Sequence, residues 1–169
     1  MLNRRQGSQL FGRRGVSLVE LIVTMTILAI LASVIMPMMQ MTGTRSREIE
    51  LHQNLRTIRT ALDEFKKSYD KAITEKKMLQ SANKSGYPET LQQLVDGYDF
   101  GGLYATKKKF LRRIPSDPTN PPRPGEEPKW GMRSYADKPD SSVWGGEDVY
   151  DVYSLSEGTA IDGTKYKDW

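Results

Sequence analysis

Residues 13–39 read RRGVSLVELIVTMTILAILASVIMPMM: two arginines and a glycine, then an apolar run whose only charge is Glu20. As a helix rising 1.5 Å per residue, 16–39 is about 36 Å long, enough to cross a hydrocarbon layer of about 30 Å. Ser17, Thr24, Thr26 and Ser33 interrupt the run, and their hydroxyls can bond back to the helix. Pro37 has no N–H, so it frees the carbonyl of Ser33 and is expected to bend or loosen the helix. A secretory signal peptide has a shorter apolar core and a small-residue cleavage site, but here no Ala-x-Ala follows. Glu20 is the anomaly. An unpaired carboxylate at mid-bilayer depth costs roughly 2.5–3.5 kcal/mol, and a charge kept in such a segment is expected to serve a function and to have a partner.

Outward from this run, charge is unevenly placed. Of 25 lysines and arginines, four (Arg4, Arg5, Arg13, Arg14) lie within residues 1–15, which hold no acid; the remaining 21 face 21 acidic residues. The net charge of +4 therefore belongs to the amino terminus. It marks a segment that stays cytoplasmic, while the neutral body argues against a nucleic-acid partner. There is no cysteine and one histidine. Disulfide frameworks, thiol nucleophiles, histidine metal sites and nucleophilic triads all lack members, and no glycine-rich phosphate cradle follows a strand. No enzyme is expected.

Beyond Gly43, Leu51, Leu55, Ile58, Leu62, Phe65 and Tyr69 fall at alternating intervals of four and three, one apolar stripe along a helix. Arg56, Arg59, Asp63, Glu64, Lys66 and Lys67 read as its wet face. A helix is expected over about 44–73, continuous or nearly so with the apolar run. Residues 74–86 read as a loop, and 88–94 as a short helix with Pro88 in its first turn, closed by Gly97. Residues 110–115 read as a short extended piece. Six of the nine prolines lie within 115–128, predicting a stiff exposed loop. Residues 130–136 and 149–155 alternate apolar and polar and are expected as strands, joined by a loop over 137–148. In the tail, Ile161, Tyr166 and Trp169 are spaced to dock. His52 reads as a surface or packing residue. The fold class expected is α+β, a long helix packed on a small antiparallel sheet with loops.

The run RRG–VSLVELIVTMTILAILASVIMP resembles the type IV prepilin signature: a basic leader ending in glycine, a glutamate five residues into the new chain, and a proline at its twenty-second position. Those positions are Gly15, Glu20 and Pro37. An amphipathic helix followed by GYPETLQQLV, FLRRIPSDPTN and a tryptophan strand is similar to major pseudopilins of type II secretion systems. The resemblance implies four parts: a cleaved leader (1–15), a transmembrane and filament-core helix (16–39), an amphipathic helix (40–73), and a periplasmic loop and small-sheet region (74–169). It implies cleavage between Gly15 and Val16 by a prepilin peptidase and N-methylation of Val16, which stands where phenylalanine is usual. The liberated amine of one copy would then pair with Glu20 of its neighbour.

The activity so implied is polymerisation into a periplasm-spanning pseudopilus that drives protein secretion across the outer membrane. The partners implied are other copies of the chain, the peptidase, an inner-membrane assembly platform, minor pseudopilins, and the lipid bilayer before assembly. The inner membrane is the expected location, with the carboxy-terminal part in the periplasm. A surface fibre of type IV pilins is the alternative; such pilins often close their carboxy-terminal region with a disulfide, which this chain cannot form. A signal-anchored periplasmic binding domain that never polymerises is a third. No cofactor is expected, although Asp137, Asp140, Glu147, Asp148 and Asp151 can supply oxygens for calcium. The stretch 137–169 does not closely match the calcium loop of the family.

Overall fold

The apolar stripe becomes the buried face of one helix. In the computed structural model, which describes residues 15–79 and 85–169 (backbone alone over 34–42), helix α1 runs Leu18–Thr74. Leu51, Leu55, Ile58, Leu62, Phe65 and Tyr69 are each at most 7% exposed. Residues 1–14 of the leader and 80–84 of the loop lie outside the described residues. The chain divides into two units, 1–41 and 42–169.

Against the stripe lie Leu91, Leu94, Phe100, Trp130, Val149, Val152 and Tyr166, all buried. Phe65 is the centre of an aromatic group, 5.1–5.4 Å from the rings of Tyr98, Phe100 and Phe110. Edge-on and tilted pairs of this kind add about 0.5–1.5 kcal/mol each beyond their buried area. The short helix α2 occupies Gln92–Asp96, later than the expected 88–94. The cause is Pro88. Its carbonyl accepts the N–H of Val149 at 2.7 Å, so this proline ties two segments together instead of opening a helix. Gly97 closes α2 at φ 86°, as expected of a glycine cap.

The sheet has two strands, β1 (Gly131–Arg133) and β2 (Asp151–Tyr153), paired antiparallel with Met132 opposite Val152. Both are shorter than the alternating patterns over 130–136 and 149–155. Side chains cut them off: the Asp137 carboxylate takes the N–H of Ser134 at 2.7 Å, and the Ser154 hydroxyl turns to Asp117 at 2.6 Å. The donors at Ser134 and Gly145 hold the Asp137 carboxyl below the usual carboxylate range. This turn is therefore fully formed near neutrality and loosens only as pH falls through that lowered value.

Arg59 joins helix to sheet. Its guanidinium donates to Asp151 at 2.7 Å and to the carbonyls of Val152 and Trp169 at 3.0 Å each. Read as wet face, it is instead a cross-link between α1, β2 and the final residue. Tyr166 docks as expected and opens a short 3-10 turn, Tyr166–Asp168, whereas the Ile161 side chain stays exposed and only its N–H engages, on Glu48 at 2.8 Å. His52 stacks on Trp169 with ring centroids 4.0 Å apart.

Gly131 is where the sheet has no room. A Cβ there would stand 2.3–2.6 Å from the Tyr153 ring. That ring is pinned by the Arg133 guanidinium 4.2 Å above it and by its hydroxyl donating to Ser142. Gly131→Ala should therefore lower stability by about 1–3 kcal/mol, the usual cost of overpacking. A shift of the urea midpoint of the full chain in detergent reads this out; an unchanged midpoint would mean that the ring moves freely.

Candidate functional site

Gly15, Val16 and Ser17 are irregular, and α1 begins at Leu18. Its first turn is closed by the N–H of Leu21 on the carbonyl of Ser17 at 3.0 Å. Glu20 lies in that turn, where the unpaired N–H groups and the helix dipole favour a negative charge. The interrupting hydroxyls bond back as expected: Thr24 to Leu21, Thr26 to Ile22 and Ser33 to Ile30, all at 2.8–2.9 Å. Their polarity is thus absorbed by the helix itself.

Every described side chain from Val16 to Ser33 is exposed, with Leu18 at 73% and Leu31 at 54%. The helix is apolar on all sides and nothing described covers it. Such a surface is stable only when lipid or protein surrounds it. Glu20 is exposed and has no ion pair among the described residues. Here the structure brings Gly15, Val16 and Glu20 together at one helix end, with the scissile position expected between Gly15 and Val16 outside regular structure. Pro37 falls within α1, and its side chain lies outside the described residues.

Among the described residues, no helix is long and apolar enough to cross a membrane. The span expected over 16–39 is described with its side chains only as far as Ser33, and helix 18–33 covers about 24 Å.

Three of the five acids suggested for calcium are engaged by other groups. Asp151 pairs with Arg59 and Arg133, Asp148 accepts the N–H of Tyr135 at 2.8 Å and the Ser85 hydroxyl, and Asp137 holds its own turn. Among the described residues no group of acids and histidines is gathered to hold a metal ion.

One surface feature is absent from the sequence reading. Tyr87, Tyr135 and Tyr150 form a cluster with centroids 5.1–6.2 Å apart. Burial, then the Asp63 carboxylate, push the Tyr87 hydroxyl up. No short-range pattern announces contacts between residues 15 to 63 positions apart.

Residues 10–36 match the prokaryotic N-terminal methylation motif, a type IV prepilin-like signal. With the α+β fold of a long amino-terminal helix and a two-stranded antiparallel sheet, this supports a type IV pilin-like protein, processed by a prepilin peptidase and polymerising. Among curated proteins and solved structures, nothing matches the chain.

Proposed function

We propose that the chain is a pseudopilus subunit that drives type II protein secretion and carries out no catalysis. Cleavage after Gly15 would leave a positive α-amine on Val16, four residues from Glu20. Copies bundled through their apolar helices would cover the surface left bare over 16–33 and pair each amine with a neighbour's carboxylate. The membrane would provide the same cover before assembly, with residues 16–39 as the anchor and the carboxy-terminal unit in the periplasm. The observation that carries this reading is the single carboxylate in the first turn of α1, at the head of a stretch, 16–33, that is otherwise uncharged and uncovered. The motif is common to pilins and pseudopilins. The lack of cysteine favours the second, and long surface fibres seen by electron microscopy would favour the first.

Processing is the direct test. Intact mass of the membrane-extracted protein should show residues 1–15 missing and one methyl added to the amine. Gly15→Ala should leave the leader in place: a Cβ at this position meets nothing within 4 Å, so the fold has no reason to change. Mature protein still beginning at Val16 in that variant would rule out the peptidase assignment.

A further inference from the structure

Two exposed features of the 42–169 unit are chemically complementary. The first is the tyrosine cluster. Tyr135 is 63% and Tyr150 44% exposed, set edge to face at 5.3 Å. Asp148 fixes the cluster by accepting the N–H of Tyr135, and next to it in the chain Glu147 is exposed, with no hydrogen bond or ion pair among the described residues. Flat aromatic faces next to a free carboxylate suit a ligand that is apolar, stiff and cationic.

The second feature has that chemistry. Pro121-Pro122-Arg123-Pro124 is a covalently stiffened arm. Each proline fixes its own φ, and Asn120, Pro121 and Arg123, which precede prolines, are confined to extended backbone. One end is anchored, because the N–H of Asn120 bonds the buried Asp117 at 3.2 Å. The other end turns sharply: the N–H of Glu126 reaches the carbonyl of Arg123 at 2.9 Å across Pro124 and Gly125, whose φ is +88°. Proline then glycine at the two central positions is the signature of a type II turn. Arg123 is exposed and has no ion pair among the described residues.

We propose that the tyrosine face of one copy receives the proline arm of a second copy, with the proline rings on Tyr135 and Tyr150 and Arg123 against Glu147. Within one chain, no described contact joins arm and face. A patch that binds a different patch on an identical molecule makes a head-to-tail interface, which propagates into an open filament when it does not close. Both surfaces are pre-ordered, so little conformational freedom is lost on docking. The inference rests on the polymerising reading above and adds a contact between the outer domains to that of the helices.

Because the chain has no cysteine, the contact can be tested cleanly in full-length processed protein. The double variant Arg123→Cys with Glu147→Cys, treated with a short bismaleimide, should give a ladder of covalent multimers; each single variant should not. In chains without the cysteines, Arg123→Glu or Glu147→Arg alone should cut the filament yield seen by electron microscopy about fivefold, and the two together should restore it. Filaments that form normally while the double-cysteine chain stays monomeric on a denaturing gel would overturn the contact and leave the polymer reading intact. Cross-linking of position 147 to a protein of different mass, with no ladder, would overturn it as well. A wild-type chain that forms no filaments removes the polymer reading itself, and the contact with it.

Discussion

Alanine at position 117 should destabilise the carboxy-terminal unit by about 3–5 kcal/mol. Asp117 is 1% exposed, yet its carboxylate is fully employed. One oxygen accepts the N–H of Thr119 at 2.7 Å, its hydroxyl at 2.6 Å and the N–H of Asn120 at 3.2 Å. The other accepts the Ser154 hydroxyl at 2.6 Å. Truncation would remove the acceptor from all of these donors and strand the Ser154 hydroxyl, which is fully buried. Hydrogen bonds to a charged group contribute about 1.5–3 kcal/mol each, though not additively. The same residue ends β2, turns the chain at Pro118 and roots the proline arm, so a local loss spreads. Asp117→Asn keeps the shape and one accepting oxygen but sets an amide N–H against Ser154; it should lose about half as much. Trp130 is buried and donates its indole N–H to the carbonyl of Pro115 at 2.9 Å, so its fluorescence reports unfolding at this corner. An alanine variant within about 1 kcal/mol of wild type would show the network to be dispensable.

The helix was legible because its information is local. Six apolar residues at intervals of four and three can share only one face, and all six are buried. The amino-terminal signal was equally plain, since Gly15, Glu20 and Pro37 are in register along one short stretch. What escaped depends on pairing at a distance. Asp117 sits in a proline-rich stretch that reads as exposed loop, and its burial becomes visible only once Ser154, 37 residues on, is brought to it. Arg59 has the spacing of the wet face, yet it meets Asp151 92 residues later. That pairing also explains why an acid suggested for calcium is engaged by guanidinium groups. Strand lengths were overestimated for a similar reason: alternation marks where a strand can run, while hydrogen-bonding side chains such as Asp137 decide where it stops. The helix start was misjudged at Pro88 because a proline suited to a first turn is equally suited to present its carbonyl to Val149.

Glu20→Gln should abolish filaments while processed monomer still accumulates in the membrane fraction. The substitution barely alters the helix: Glu20 is exposed in the first turn of α1 and has no ion pair among the described residues. Its effect is on what surrounds the helix. In the proposed bundle of apolar helices, the amine left on Val16 by cleavage would be a charge with no water around it, and the neighbour's carboxylate would be the group that offsets it. An unpaired charge in such surroundings costs roughly 2.5–3.5 kcal/mol, which lowers the affinity of each added subunit about a hundredfold. Addition then falls below dissociation and no filament grows. Insertion before assembly is unharmed or improved, because a neutral amide is easier to place in lipid than a carboxylate. Monomer should thus persist with wild-type mass at its cleaved amino terminus. Glu20→Asp keeps the charge but shortens its reach by one methylene, and should assemble at reduced yield. Electron microscopy of filaments together with intact mass of the membrane fraction separates these outcomes. Wild-type filament yield from the glutamine variant would sink the pairing, and with it the reason this apolar stretch tolerates its one charge.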